Sequence, residues 1–342
     1  YTDGTVRGFA GAEKSLAFDI DNPDIAAVDE TGTIVASAPA EGMVMVAKDG
    51  VETGVRLVVL PHEPPIGTIQ INGDQSATST REATLSLTWV DGNGGRTTRM
   101  RFSDNGATWT PWEPVAATRE YTLPDGDGYK TVRVQFRDLA GNVSERFSDF
   151  IRLDTMPPSG AVVINNNLST TNKRDVTLAL TWSDGAGSGV TRMRFSDNGA
   201  IWTPWEPVAA TQAYTLPEGD GYKTVRVQYR DGAGNVSDRH SDYIRLDTTP
   251  PTGTILINGG ASSTTDPAVT LTLTWSDGVG SGVTRMRFSL DGATWSAWEP
   301  LSANKAFTLP AVPGYYTVRV TYRDGAGNIS DRHTDYIRLD AP

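Results

Sequence analysis

The sequence predicts an all-β protein, a linear array of β-sandwich domains, and three observations carry that prediction. Pro-Pro pairs recur at 64–65, 157–158 and 250–251, a spacing of 93 residues without drift. Within each unit the apolar residues alternate with period two, as in Leu85, Leu87 and Trp89 or Val132, Val134 and Phe136, with polar residues between them. Residues that tolerate positive φ punctuate these runs, at Asp91-Gly-Asn-Gly-Gly, Asp104-Asn-Gly and Ala140-Gly-Asn, so the runs read as strands joined by turns.

Taken in order, the first unit is expected to hold seven strands, approximately over 67–71, 83–90, 97–103, 107–113, 119–123, 130–137 and 147–153. Seven short strands with turn signals between them, in a unit of this size, is the pattern of an immunoglobulin-like or fibronectin type III-like sandwich. A propeller would repeat at about 40–50 residues, and the two halves of a unit do not resemble each other. The units are close copies: 98–118 recurs at 191–211 with one change, Thr108 to Ile201, and all nine Trp fall in the repeats, three in each. The domains expected are therefore 1–63, 64–156, 157–249 and 250–342, the first of a different kind. Pro-Pro joints restrict φ, so the array should be semi-rigid.

Leu87-Thr-Trp, Tyr129-Lys-Thr-Val-Arg-Val, Asp231-Gly-Ala-Gly-Asn-Val-Ser and Asp247-Thr-Thr-Pro-Pro resemble the tandem Ig-like and fibronectin type III-like repeats of large secreted or cell-surface bacterial proteins. The resemblance covers all three units. It implies that Tyr129, Tyr222 and Tyr315 are tyrosine corners, whose hydroxyls cap backbone groups. Residues 1–63 are similar to the bacterial Ig-like group 2 module through Tyr1-Thr-Asp-Gly-Thr, Asp21-Asn-Pro-Asp-Ile-Ala-Ala-Val-Asp, Thr31-Gly-Thr-Ile-Val and Glu41-Gly-Met-Val-Met-Val. Phe18 replaces the Trp usual in that family, and one or two leading strands are lacking. Truncation is the expected reason; an open sheet edge around Ile34, Met43, Met45 and Val46, filled by a strand from a partner chain, is the alternative. The chain opens at Tyr1 without an initiator Met, so a fragment of something longer is expected.

Composition removes several functions. The 342 residues contain no cysteine and three histidines, which excludes thiol nucleophiles, disulfides, iron–sulfur clusters and Cys-ligated zinc. The absence of Cys suits a protein folding outside the cell without oxidative help, and is equally compatible with the cytoplasm. A net charge of −11 argues against nucleic acid and against an anionic membrane surface, and no apolar run is long enough to span a bilayer. The N-terminal module carries −7 of that charge and the repeats −2, −1 and −1.

No catalytic group is expected. His240 and His333 occupy equivalent positions where the first unit has Phe147, which marks a packing position. Ser103-Asp-Asn-Gly-Ala-Thr-Trp resembles a shortened Asp-box, a structural hairpin whose acidic side chain accepts backbone N–H groups. The candidate ligand-binding residues are Trp109 and Trp112, Trp202 and Trp205, and Trp295 and Trp298. Three apart on a strand they should face opposite sides, one in the core and one exposed, either to stack a sugar or to pack beside Pro114. Arg99, Arg101, Arg133, Arg137 and Arg152 should line an outward sheet face, where pairing with Asp and Glu is expected and attraction of an acidic glycan is the alternative. No cofactor and no metal are expected; calcium at Asp154, Asp247 and Asp340 with Asp91, Asp184 and Asp277 is the open alternative to turn and cap roles.

The function expected is a non-catalytic structural or adhesive segment of a bacterial extracellular or cell-surface protein, with other protein chains or surface glycans as partners. Carbohydrate-binding repeats of a secreted glycoside hydrolase, or a subunit of an extracellular filament or phage virion, are the alternatives.

Overall fold

A computed structural model describes residues 17–21, 23, 26–28, 34–36, 40–48, 51–59, 63–92 and 96–341. The described residues form strands, with one three-residue 3-10 turn among them at Asn165–Asn167. Contacts divide it into two units, 1–156 with 232–235, and 157–231 with 236–342.

In the first unit, strands β1 (Ala17–Ile20), β4 (Ala40–Lys48) and β5 (Val51–Val59) form one sheet in the order β1-β4-β5, and β2 (Ala26–Val28) pairs with β3 (Ile34–Ala36). Ile20, Ala26 and Val44 make a small core. Of the four residues at the expected open edge, Met43, Met45 and Val46 lie on β4, which is paired on both sides, whereas Ile34 lies on β3, which among the described residues pairs with β2 alone. The segment Tyr1–Leu16, on which the missing-strand argument rests, lies outside the described residues.

The first repeat follows as β6 (Ile66–Ile71), β7 (Ala77–Thr78), β8 (Glu82–Val90), β9 (Thr97–Ser103), β10 (Glu113–Pro114), β11 (Thr118–Thr122), β12 (Gly128–Asp138) and β13 (Phe147–Leu153). They form two sheets, β11-β8-β6 and β10-β9-β12-β13-β7, all antiparallel except that β7 runs parallel to β13. Alternating residues from both sheets meet in a core that includes Leu85, Phe102, Val132, Val134, Phe136 and Ile151. This is a β-sandwich whose first strand is split between the two sheets. A buried-edge carboxylate ties the sheets together, as Asp149 accepts the Ile71 N–H at 2.7 Å.

The strand expected over 107–113 is absent. Asn105 accepts the N–H groups of Ala107 and Thr108 at 2.8 Å each, curling 103–108 into a turn. Pro111 lacks the N–H a ladder needs, leaving only the two-residue β10. The Asp-box reading is corrected in the same place: Asn105 and Asn198 cap the turn in the first two repeats, and an acid, Asp291, does so only in the third. The strand at 77–78 was not expected.

The second unit repeats the same arrangement twice, with separate cores around Leu178, Phe195 and Val227 and around Leu271, Phe288 and Val320. Trp89, Trp182 and Trp275 lie on the inward face as their alternation requires, yet they are half-buried at the rim and not inside the core. Each packs against the ring at 136, 229 or 322, with centroids about 6 Å apart. That ring is the buried centre of the repeat, and it presses on the opposing backbone at Gly67, Gly160 or Gly253, where a Cβ would clash with it and with a carbonyl oxygen.

Candidate functional site

The 103–112 turn places both Trp of each pair on one side. The Arg101 guanidinium lies between them, 4.9 Å from the Trp109 ring and 4.5 Å from the Trp112 ring, and donates from Nε and Nη2 to Gln135 Oε1 at 3.1 and 2.7 Å. In the second unit Arg194 is held in the same way by Trp202 and Trp205, and Arg287 by Trp295 and Trp298. All six indoles are half-buried. The opposite facing expected of them fails because period two applies only within a strand. Their open faces are taken by a cation, a contact of about 0.5–2 kcal/mol depending on desolvation.

The tyrosine corners are also misplaced. Tyr129, Tyr222 and Tyr315 are exposed on the outer sheet face; Tyr129 is set edge-on to Phe150 and Tyr222 to Tyr243, each at 5.9 Å, where β12 and β13 or their equivalents pair. The hydroxyl-to-backbone tie is made instead by Tyr229, which donates to the Ala161 carbonyl at 2.9 Å, and by Tyr322, which donates to Thr254. His240 and His333 pack on those same rings, 6.1 and 5.8 Å between centroids, as Phe147 does on Phe136. They occupy a packing position.

Arg99, Arg101, Arg133 and Arg137 do not form the ladder with Asp and Glu that was expected. Arg133 donates to the Asp104 carbonyl and Arg137 stacks on Trp112 at 5.0 Å. Among the described residues the repeats' ion pairs are Arg81–Asp125, Arg119–Glu113, Arg174–Glu218, Lys305–Glu299 and Arg338–Asp340, and Arg338 stands where the first repeat has Arg152.

Within the second unit, the segment after Leu246 is fastened from both repeats. Asp220 accepts the N–H and hydroxyl of Thr248 at 2.9 and 2.8 Å and the hydroxyl of Thr249 at 2.7 Å. These bonds, the Thr249 hydroxyl first, hold its carboxyl below the usual range. From the third repeat, the Ser281 N–H donates to Asp247 Oδ2 at 2.6 Å and Asn328 Nδ2 donates to the Asp247 carbonyl at 2.8 Å. The Thr170 hydroxyl of the second repeat donates to the Gly325 carbonyl at 3.0 Å.

At this joint the carboxylates of Asp247, Asp277 and Asp324 converge, with one oxygen of each within 4.8 Å of the others. Asp247 is 0% and Asp324 2% exposed. Asp277 Oδ1 is buried without a hydrogen-bond partner, while Oδ2 accepts the Gly282 N–H at 2.7 Å. Burial, and after it the charges of Asp247 and Asp324, raise the Asp277 carboxyl against the opposing Gly282 bond and Arg245. Three carboxylates gathered away from water need a countercharge. An all-oxygen set of this kind fits calcium, and a solvent-open cleft lined by Asp220, Asp247, Thr249 and Asp277 gives it a way in.

Sequence reasoning found two of the three, Asp247 and Asp277. Asp340 instead pairs with Arg338 at 2.8 Å. Asp324 was missed because the Asp324-Gly-Ala-Gly-Asn stretch reads as a turn. Its own carboxylate does cap that turn, accepting the N–H groups of Gly327 and Asn328. Asp154, Asp184 and Asp231 stand 93 residues earlier in the sequence.

No protein-family model matches the chain, and no curated protein does. Among solved structures, it is similar to a Ca2+-stabilised adhesin that helps an Antarctic bacterium bind ice, at 17% identity and a TM-score of 0.41, over 99% of this chain and 91% of that one. It is also similar to fibronectin(III)-like modules of Clostridium thermocellum CbhA, at 16% and 0.36, over 52% and 94%, and to a tetra-tandem repeat from the extending region of a large adhesion protein, at 17% and 0.29, over 97% and 93%. Likenesses at these scores carry no functional argument. The sheets, their order and the alternating cores do establish the architecture: the chain is an all-β array of sandwich modules of the immunoglobulin and fibronectin type III kind.

Proposed function

We propose that the chain is a non-catalytic structural and adhesive repeat segment of a bacterial extracellular or cell-surface protein, a semi-rigid stalk or assembly module led by a domain of the bacterial Ig-like group 2 kind. The observation that carries this reading is the joint at Asp247–Pro251, where side chains of the second and third repeats hold the linking backbone. A flexible tether would leave that backbone to water. Calcium bound by Asp247, Asp277 and Asp324 would supply the countercharge these residues need and would fasten the joint further. The packing of His240 and His333 on buried rings supports a non-catalytic role.

Because the chain lacks cysteine, spin labels can be placed by two substitutions alone. With Thr211→Cys and Asn304→Cys in the full chain, pulsed electron resonance should give one narrow distance distribution between the second and third repeats. Adding Asp220→Ala and Asn328→Ala should broaden it. A broad distribution in the otherwise unaltered chain would overturn the proposal.

A further inference from the structure

We propose that the outward face of the five-stranded sheet in each repeat binds an acidic polysaccharide, with uronate carboxylates on the arginine row and sugar rings on the exposed aromatic pair.

The arginine row is built at a cost that folding alone does not explain. In the second repeat Arg192 and Arg230 are direct cross-strand partners, and the first and third repeats place Arg99 opposite Arg137 and Arg285 opposite Arg323. Like charges in that position repel. None of these six guanidiniums has a carboxylate at ion-pair distance among the described residues. Next to them burial, and after it the positive charge of Arg239, lowers the guanidinium of the Trp-clamped Arg194.

Some acids close to this face are spent on backbone groups, although in the third repeat Asp340 pairs with Arg338. Asp242 is the clearest case: it sits on the strand that carries Tyr243 and Arg245, but its oxygens accept the N–H groups of Ile164 and Tyr243. At Arg99–Arg137, Arg192–Arg230 and Arg285–Arg323 the outer sheet face is left positive.

The rest of the face selects a sugar polymer over other polyanions. Tyr222 and Tyr243 are 68% and 66% exposed, beside Arg245, whose guanidinium is 5.5 Å from the Tyr222 ring. An exposed phenol ring stacks on the apolar face of a pyranose, and a guanidinium takes a carboxylate in bidentate geometry. From Tyr222 to Arg230 the strand extends about 26 Å at ~3.3 Å per residue, room for several linked sugars.

This inference names the partner in the adhesive reading and rests on it, whereas the stalk reading depends on the joint, so the two fail separately. Full-length protein should retain alginate, a polyuronate, and not dextran in affinity electrophoresis, with retention falling as salt rises. Arg→Gln at Arg99, Arg137, Arg192, Arg230, Arg285 and Arg323 together should weaken alginate binding at least about tenfold. Tyr129→Ala, Tyr222→Ala and Tyr315→Ala together should also weaken it. All these positions but the half-buried Arg137 are exposed, and an unchanged melting temperature confirms the fold. Equal retention of dextran, equal retention of single-stranded DNA, or alginate binding that survives both sets of substitutions would overturn the proposal.

Discussion

At Tyr229 a single phenol closes the middle of the second repeat. Burial pushes its hydroxyl from 10.0 up to about 12. A group whose folded value is raised contributes stability that is fully present below the unfolded value and is lost as the pH climbs through the folded one. The second repeat should therefore lose stability between about pH 10 and 12, and Tyr229→Phe should reduce that alkaline loss, leaving the part due to Tyr214, which burial also raises. At neutral pH the same change should cost about 1 kcal/mol, the bond to the Ala161 carbonyl; melts of the full chain across pH 7–12 check both. Phe136 in the first repeat shows that the ring alone suffices for the fold. Opposite the ring, Gly160→Ala should cost about 1–3 kcal/mol, because the added methyl meets the Tyr229 ring and the Thr181 carbonyl together.

The element that departs most from its local pattern is the stretch after Ser103. Its Trp residues look like a strand's, but a capped turn and a proline convert it into a clamp on Arg101. In the second repeat, Trp205→Ala should lower the melting temperature and leave alginate retention by the other repeats intact, since this indole faces a guanidinium and not solvent. The joint at Asp247–Pro251 behaves as an element in its own right. Calcium should raise the melting temperature of the full chain, and Asp277→Asn should reduce that rise, because Oδ1 of Asp277 is the buried oxygen left without a donor. Calorimetry with calcium and with a chelator checks this, and an identical rise in the variant would refute the assignment.

Across the whole molecule, each repeat keeps its own apolar core, so damage should stay local. Leu85→Ala, at a fully buried position of the first repeat, should cost about 2–5 kcal/mol. Calorimetry should show one transition lowered and that of the third repeat unmoved. At this scale the net charge conceals the electrostatics. Most of the −11 resides in the first 63 residues, while each near-neutral repeat sets two arginines opposite each other on its outer sheet face.

The sequence by itself determined the architecture. A 93-residue period and strict alternation at Leu85-Leu87-Trp89 and Val132-Val134-Phe136 leave only a repeated sandwich, because side chains on a strand alternate regardless of what surrounds them. It also showed that position 147, 240 or 333 is a packing site, since Phe and His interchange there. What only the tertiary structure decided is which partners those faces meet. Whether Tyr129 or the residue at 136 lies inside depends on sheet register, and exposure put the predicted corner tyrosine on the surface. Whether Arg99 meets an acid or another arginine depends on a cross-strand partner 38 residues away in the chain. Asp324 joins Asp247 and Asp277 only because two repeats close on one joint. Local sequence fixes which way a side chain points along its own strand; long-range pairing fixes what it points at.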